Sequence, residues 1–104
     1  MEKLKVLFHV NDVDRWSIAL GNITNLFRDV GADGADVVVL ANGASVAAFV
    51  DADKIEEMKA LAEKGAKFLV CISEEGLPAF VVIVPAGITA IIKIQNEGYA
   101  YVKP

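Results

Sequence analysis

The chain is poor in cysteine, histidine and basic charge, and it has no glycine-rich phosphate loop. One cysteine among 104 residues cannot form an intramolecular disulfide, which removes the disulfide-stapled secreted class. One Cys and one His cannot supply a structural zinc site. Ten Lys and Arg stand against 14 Asp and Glu, for a net charge of −4 and a pI near 4.8. No basic stripe is left to neutralise phosphates, so nucleic acid is excluded as a partner. Gly31-Ala32-Asp33-Gly34 follows a helical pattern rather than a strand, and the dinucleotide and Walker readings lapse. Asp29, Asp33 and Asp36 do not match a calcium-loop spacing.

Long hydrophobic runs are also missing. The longest uncharged stretch, Gly76 to Ile92, has 17 residues and contains Pro78, Pro85 and Gly87. It changes from β-branched Phe80–Val84 to helically spaced Ile88, Ile91 and Ile92, which predicts two elements and a turn rather than a membrane span. Met1–Lys5 leads straight into a strand pattern without a signal-peptide core, and a cytoplasmic protein is expected. What is abundant is apolar residues, at 55% with a mean hydropathy of +0.46. A domain this small has much surface for its volume, so the surplus predicts a subunit contact and hence a homo-oligomer.

Residues 4–10 read as a first strand, apolar as a strand covered on both faces would be. Asn11–Asp14 breaks the run and offers helix caps. Trp16, Ala19, Leu20, Ile23, Leu26, Phe27 and Val30 then recur at steps of three and four, predicting a helix that Gly31 ends. Val37–Ala41 is a second strand, bounded by Asn42-Gly43, and 44–50 a short helix. Asp53-Lys54-Ile55-Glu56 has capping-box spacing ahead of a helix stopped by Gly65. Phe68–Ile72 and Phe80–Val84 are strands three and four, Ile88–Glu97 a helix stopped by Gly98, and Tyr99–Val102 a last strand with an aromatic face. Strands alternating with helices through short loops predict a single three-layer α/β domain over residues 1–104, with a mostly parallel five-stranded sheet.

In such sheets ligands meet the carboxyl ends of the strands, where helix N-termini also point. Those ends carry His9, Asn11 and Asp12, then Asn42 and Gly43, then Cys71 and Ser73, and finally Pro85, Ala86 and Gly87. A receiver domain would need an aspartate where Cys71 stands. Two readings of Cys71 are open: a reactive thiol, or a small core hydrophobe among Phe68, Leu69, Val70 and Ile72. For His9 the alternatives are a tuning group for that thiol and a hydrogen-bonded structural histidine. Trp16 is either core or the wall of a pocket. Asp51, Asp53, Glu56 and Glu57 cluster at a helix start, where the dipole favours them, and read as structural.

Phe8-His9-Val10-Asn11-Asp12, Ala41-Asn42-Gly43, Phe68-Leu69-Val70-Cys71, Val84-Pro85-Ala86-Gly87-Ile88 and Gln95-Asn96-Glu97-Gly98-Tyr99-Ala100-Tyr101, in this order over nearly the whole chain, resemble the DsrE/DsrF-like family. The resemblance implies a flavodoxin-like outline assembled into trimers, hexamers or mixed hexamers. It also implies a sulfur relay in which a cysteine at the position of Cys71 accepts sulfur as a persulfide and passes it to a carrier protein. Such relays serve sulfur oxidation or transfer-RNA thiolation and need no cofactor. Sulfur-donor and sulfur-acceptor proteins would then be the partners. The chain departs from that pattern after Cys71: only Ile72–Ala79 precedes strand four, shorter by roughly two helical turns, about 10 Å of helix. Glu74 and Glu75 follow the cysteine closely, and like charge disfavours a thiolate.

Two functions are therefore expected to compete. In one, Cys71 carries sulfur beside the backbone amides of 43–45 and 87–89, with His9, Asn11, Asn42, Gly43, Ser73 and Gly87 as the binding rim. In the other, the chain is a non-catalytic oligomeric binding module, or a partner subunit of a mixed complex, using the same rim with Cys71 as packing.

Overall fold

The computed structural model describes residues 3–71 and 77–104. Five strands, β1 (Leu4–Val10), β2 (Ala35–Ala41), β3 (Lys67–Val70), β4 (Val81–Ile83) and β5 (Ala100–Val102), lie in the order β4-β3-β2-β1-β5. Every pairing is parallel, so the sheet is wholly parallel where the sequence predicted a mostly parallel one. Among the described residues three α-helices accompany it: α1 (Trp16–Val30), α2 (Ala52–Glu63) and α3 (Gly87–Asn96).

The strand order decides where the helices go. From β1 to β4 the chain steps across the sheet in one direction, and right-handed crossovers place those connections on one face. The step from β4 to β5 runs back across the whole sheet, so the same handedness puts α3 on the other face. Packing agrees. Val6, Phe8, Val10, Val37, Val39, Phe68 and Val70 meet α1 and α2 in the larger core, which Leu77 and Phe80 also join. Leu7, Val38, Leu40 and Leu69 meet Ile91 and Ile94 of α3 in the smaller one. One ten-residue helix thus covers a five-stranded face.

The ends of the elements follow local chemistry. Gly31, at φ 82°, closes α1 and donates its N–H to the Phe27 carbonyl at 2.8 Å. The predicted capping box is displaced: Asp51, not Asp53, caps α2, its carboxylate accepting from the amides of Asp53 (3.0 Å) and Lys54 (3.4 Å). Asp51 holds the extended backbone (φ −93°, ψ 111°) that a cap requires, whereas Asp53 is already helical. Asp12 precedes a short 3₁₀ turn without a side-chain cap bond, so the capping expected at 11–14 is not made.

The short helix predicted at 44–50 is a 3₁₀ segment, Gly43–Val50. Ser45 explains the tighter winding. Its amide reaches the Asn42 carbonyl three residues back at 3.3 Å, and its hydroxyl lies 2.7 Å from both that carbonyl and the Val10 carbonyl. Ser45 is fully buried, and its own carbonyl accepts from Trp16 Nε1 at 2.8 Å. Trp16 is therefore core, packed edge-on against Phe49 and tilted against Phe68, with no part in a pocket wall.

The displaced cap is testable. Asp51→Ala is expected to cost about 1 kcal/mol of stability in chemical denaturation, and Asp53→Ala a few tenths at most. An equal loss in both variants would contradict the assignment.

Candidate functional site

The α3 face of the sheet gathers the chemistry at its carboxyl edge. Leu40 pairs with Leu69 and Ala41 with Val70, so Asn42 and Cys71 are the residues that directly follow the ends of these adjacent strands. His9 pairs with Leu40 and shares the face of Leu7, which is paired with Tyr101 on β5. Read across the sheet, the rim runs Cys71, Asn42, His9, Tyr101.

Cys71 is partly buried, and it meets the first residue of α3. A Cβ built on Gly87 would lie 3.2 Å from both Cβ and Sγ of Cys71 and 3.6 Å from Leu40 Cδ2. The close approach, not a left-handed backbone, is what requires glycine here. α3 therefore begins against the sulfur. The other predicted amide group, 43–45, is partly committed, because the Ser45 amide already bonds the Asn42 carbonyl. Gly43, at φ 57°, turns the chain in the left-handed region, with the Asn11 carbonyl 3.4 Å from where its Cβ would stand. Asn11 thus meets the rim through its backbone.

His9 is held at both ring nitrogens. Nε2 lies 3.1 Å from Asn42 Oδ1, and Nδ1 lies 2.6 Å from the Tyr101 hydroxyl. An amide oxygen only accepts, so Nε2 carries the proton; in the neutral ring Nδ1 then accepts from the Tyr101 O–H. Sequence reasoning placed His9 and Asn42 on the rim but took Tyr101 only as part of an aromatic edge. It also missed Ser45, the buried hydroxyl that joins the ends of β1 and β2. Ser73 lies outside the described residues, as do Glu74 and Glu75.

Beside the start of α3 a groove of about 340 Å³ is lined by Val84, Pro85, Ala86, Thr89, Ala90 and Lys93, so it is largely apolar. Among the described residues no group of three or more His, Cys, Asp or Glu is placed to hold a metal ion, and no helix is long and apolar enough to cross a membrane. At the opposite, amino edge, burial followed by the charges of Asp36 and Glu97 pushes the Tyr99 phenol up from its ordinary range.

No family model and no curated protein matches the sequence. A solved structure, the protein of unknown function MTH1491 from Methanobacterium thermoautotrophicum, matches with a TM-score of 0.88 at 24% identity, covering 98% of this chain and 100% of that one. At that identity the likeness shows the fold alone.

Gly87→Ala is expected to slow alkylation of native Cys71 several-fold, because the added methyl presses on the sulfur, while the unfolded variant alkylates as fast as the unfolded parent. Unchanged native reactivity would mean that reagents approach Cys71 from another side.

Proposed function

We propose that the protein is a sulfur carrier acting through a persulfide on Cys71. The observation that carries this reading is the placement of the partly exposed thiol against the first residue of α3, at the carboxyl edge of a parallel sheet. The Cys71 thiolate attacks the outer sulfur of a donor persulfide. The Cys71 Sγ–S bond forms as the donor S–S bond breaks, and the donor leaves as a thiolate. An acceptor thiolate then attacks the outer sulfur and frees Cys71. Each transfer exchanges one S–S bond for another and is redox-neutral overall, so the chemistry calls for no metal or organic cofactor. The resemblance to DsrE/DsrF-like proteins supports the same reading, with protein donors and acceptors and a cytoplasmic setting where thiols stay reduced.

A second reading, the oligomeric binding module or partner subunit, draws on a separate observation. Ile88 and Ile92, one turn apart on α3, are 67% and 52% exposed, and Val82 on the same sheet face is 55% exposed. Together with the apolar groove they form a surface suited to subunit contact, and a trimer or hexamer built there would flank the rim.

Intact mass after treatment with a polysulfide donor and then alkylation tests the first reading. Native protein is expected to gain reducible sulfur that Cys71→Ser does not gain, with the variant still folded. Sulfur accepted only after unfolding would make Cys71 a core residue and give first place to the binding module. For the assembly, native mass is expected to exceed one chain and to fall to a monomer when Ile88→Lys and Ile92→Lys are combined. A parent that is already monomeric at micromolar concentration would remove it.

A further inference from the structure

β4 is an outer strand that no charge protects. It ends the order β4-β3-β2-β1-β5, and among the described residues nothing pairs with its outer side. Its side chains are apolar on both faces. Val82 pairs with Leu69 on the α3 face and is 55% exposed; Ile83 pairs with Val70 on the opposite face and is 48% exposed. Edge strands are commonly blunted by a lysine, an inward charge or a proline, and Val81-Val82-Ile83 has none of these. The other edge, β5, is followed at once by Lys103 and Pro104.

The backbone shows how a strand would be added. The Val84 amide donates to the Val70 carbonyl at 2.7 Å, so Val84 and, two residues earlier, Val82 turn their backbone groups to β3. Val81 and Ile83 turn theirs outward. The Val81 amide is taken by the Pro78 carbonyl at 3.1 Å, and Pro85 has no N–H. Ile83 thus holds the outward amide donor of this edge, with its own carbonyl and that of Val81 as acceptors.

Charge points to the chain that pairs here. Two copies meeting about a two-fold axis bring the same surface together, so a chain of net charge −4 approaches itself best through uncharged residues. The longest uncharged stretch, residues 76–92, contains β4 and the start of α3. A charged partner finds nothing in it to pair with.

We infer that β4 is the strand by which two copies of this chain join, pairing antiparallel about a two-fold axis normal to the sheet, with each Ile83 amide donating to an outward carbonyl of the other copy. The inference rests on the reading of the chain as an oligomeric module and names its joint. Such an axis reverses the strand but keeps the faces, so both α3 helices lie on one side of a continuous sheet. The apolar grooves beside them then meet over Val82. Lys93, the one charge lining each groove, lies well into α3, and the axis sends its two copies towards opposite ends. A stable contact needs about 800 Å² per chain, so the joint takes in the groove walls as well as the three-residue strand.

Native mass and hydrogen exchange test this. The parent at micromolar concentration is expected to contain an even number of chains, with the Ile83 amide exchanging slowly. Ile83→Pro removes that donor on the outward side, where an edge strand tolerates proline, and Val82→Lys puts a charge at the joint. Each is expected to halve the native mass with an unchanged circular dichroism spectrum, and either one keeps the test open should the other misfold. A trimer, fast exchange of the Ile83 amide in an intact oligomer, or folded variants at the parent's mass would overturn the joint and leave the oligomeric reading standing. A monomeric parent would overturn both.

Discussion

The hydroxyl of Ser45 sits within 2.7 Å of two carbonyl oxygens, those of Val10 and Asn42, at the point where β1 and β2 end. The Val10 carbonyl also accepts from the Asn42 amide and the Asn42 carbonyl from the Ser45 amide, so the buried hydroxyl adds to backbone bonds that already tie the two strand ends together. Trp16 closes the arrangement from above by donating to the Ser45 carbonyl, which also anchors the start of α1. Much of the rim depends on this joint. It sets where the Asn42 backbone leaves the sheet, and so where its side chain meets His9.

The second constraint is topological. A chain that steps three times in one direction and returns once must cover its two sheet faces unequally. The crowded face, with α1, α2 and the 3₁₀ segment, holds most of the core and no rim chemistry. The sparse face carries Cys71, Asn42, His9 and Tyr101, because a single helix leaves the strand ends open. Exposed isoleucines on α3 follow from the same inequality. The polar strand-end rim and the apolar surface of α3 therefore share one face by construction.

Much of this was legible in the residues. Periodicity located α1, and the apolar run Val37–Ala41 announced a central strand covered on both faces. Glycines 31, 65 and 98 lie after helices at positive φ, where their sequence context put them. Gly87, expected at the end of strand four, is instead the first residue of α3, and the reason glycine stands there, the sulfur at 3.2 Å from its missing Cβ, is a tertiary contact that no local pattern carries. The cap of α2 was misplaced because Asp51 and Asp53 are chemically equivalent, and only backbone angle distinguishes them. Ser45 was hidden in a small apolar run, where a hydroxyl bonded to the backbone reads like alanine. Tyr101 escaped because its partner lies 92 residues away in sequence.

That last separation governs when the site can exist. Cys71, Asn42 and His9 precede α3 and β5 in the chain, so a growing polypeptide presents them before Gly87 or Tyr101 has been synthesised. Pairing β5 with β1 joins segments at nearly opposite ends of the 104 residues, a closure that costs chain entropy and comes late. Until then Cys71 has no Gly87 against its sulfur, and His9 lacks the Tyr101 hydroxyl at Nδ1. The geometry of the rim is thus completed only when α3 and β5 have docked on the sheet.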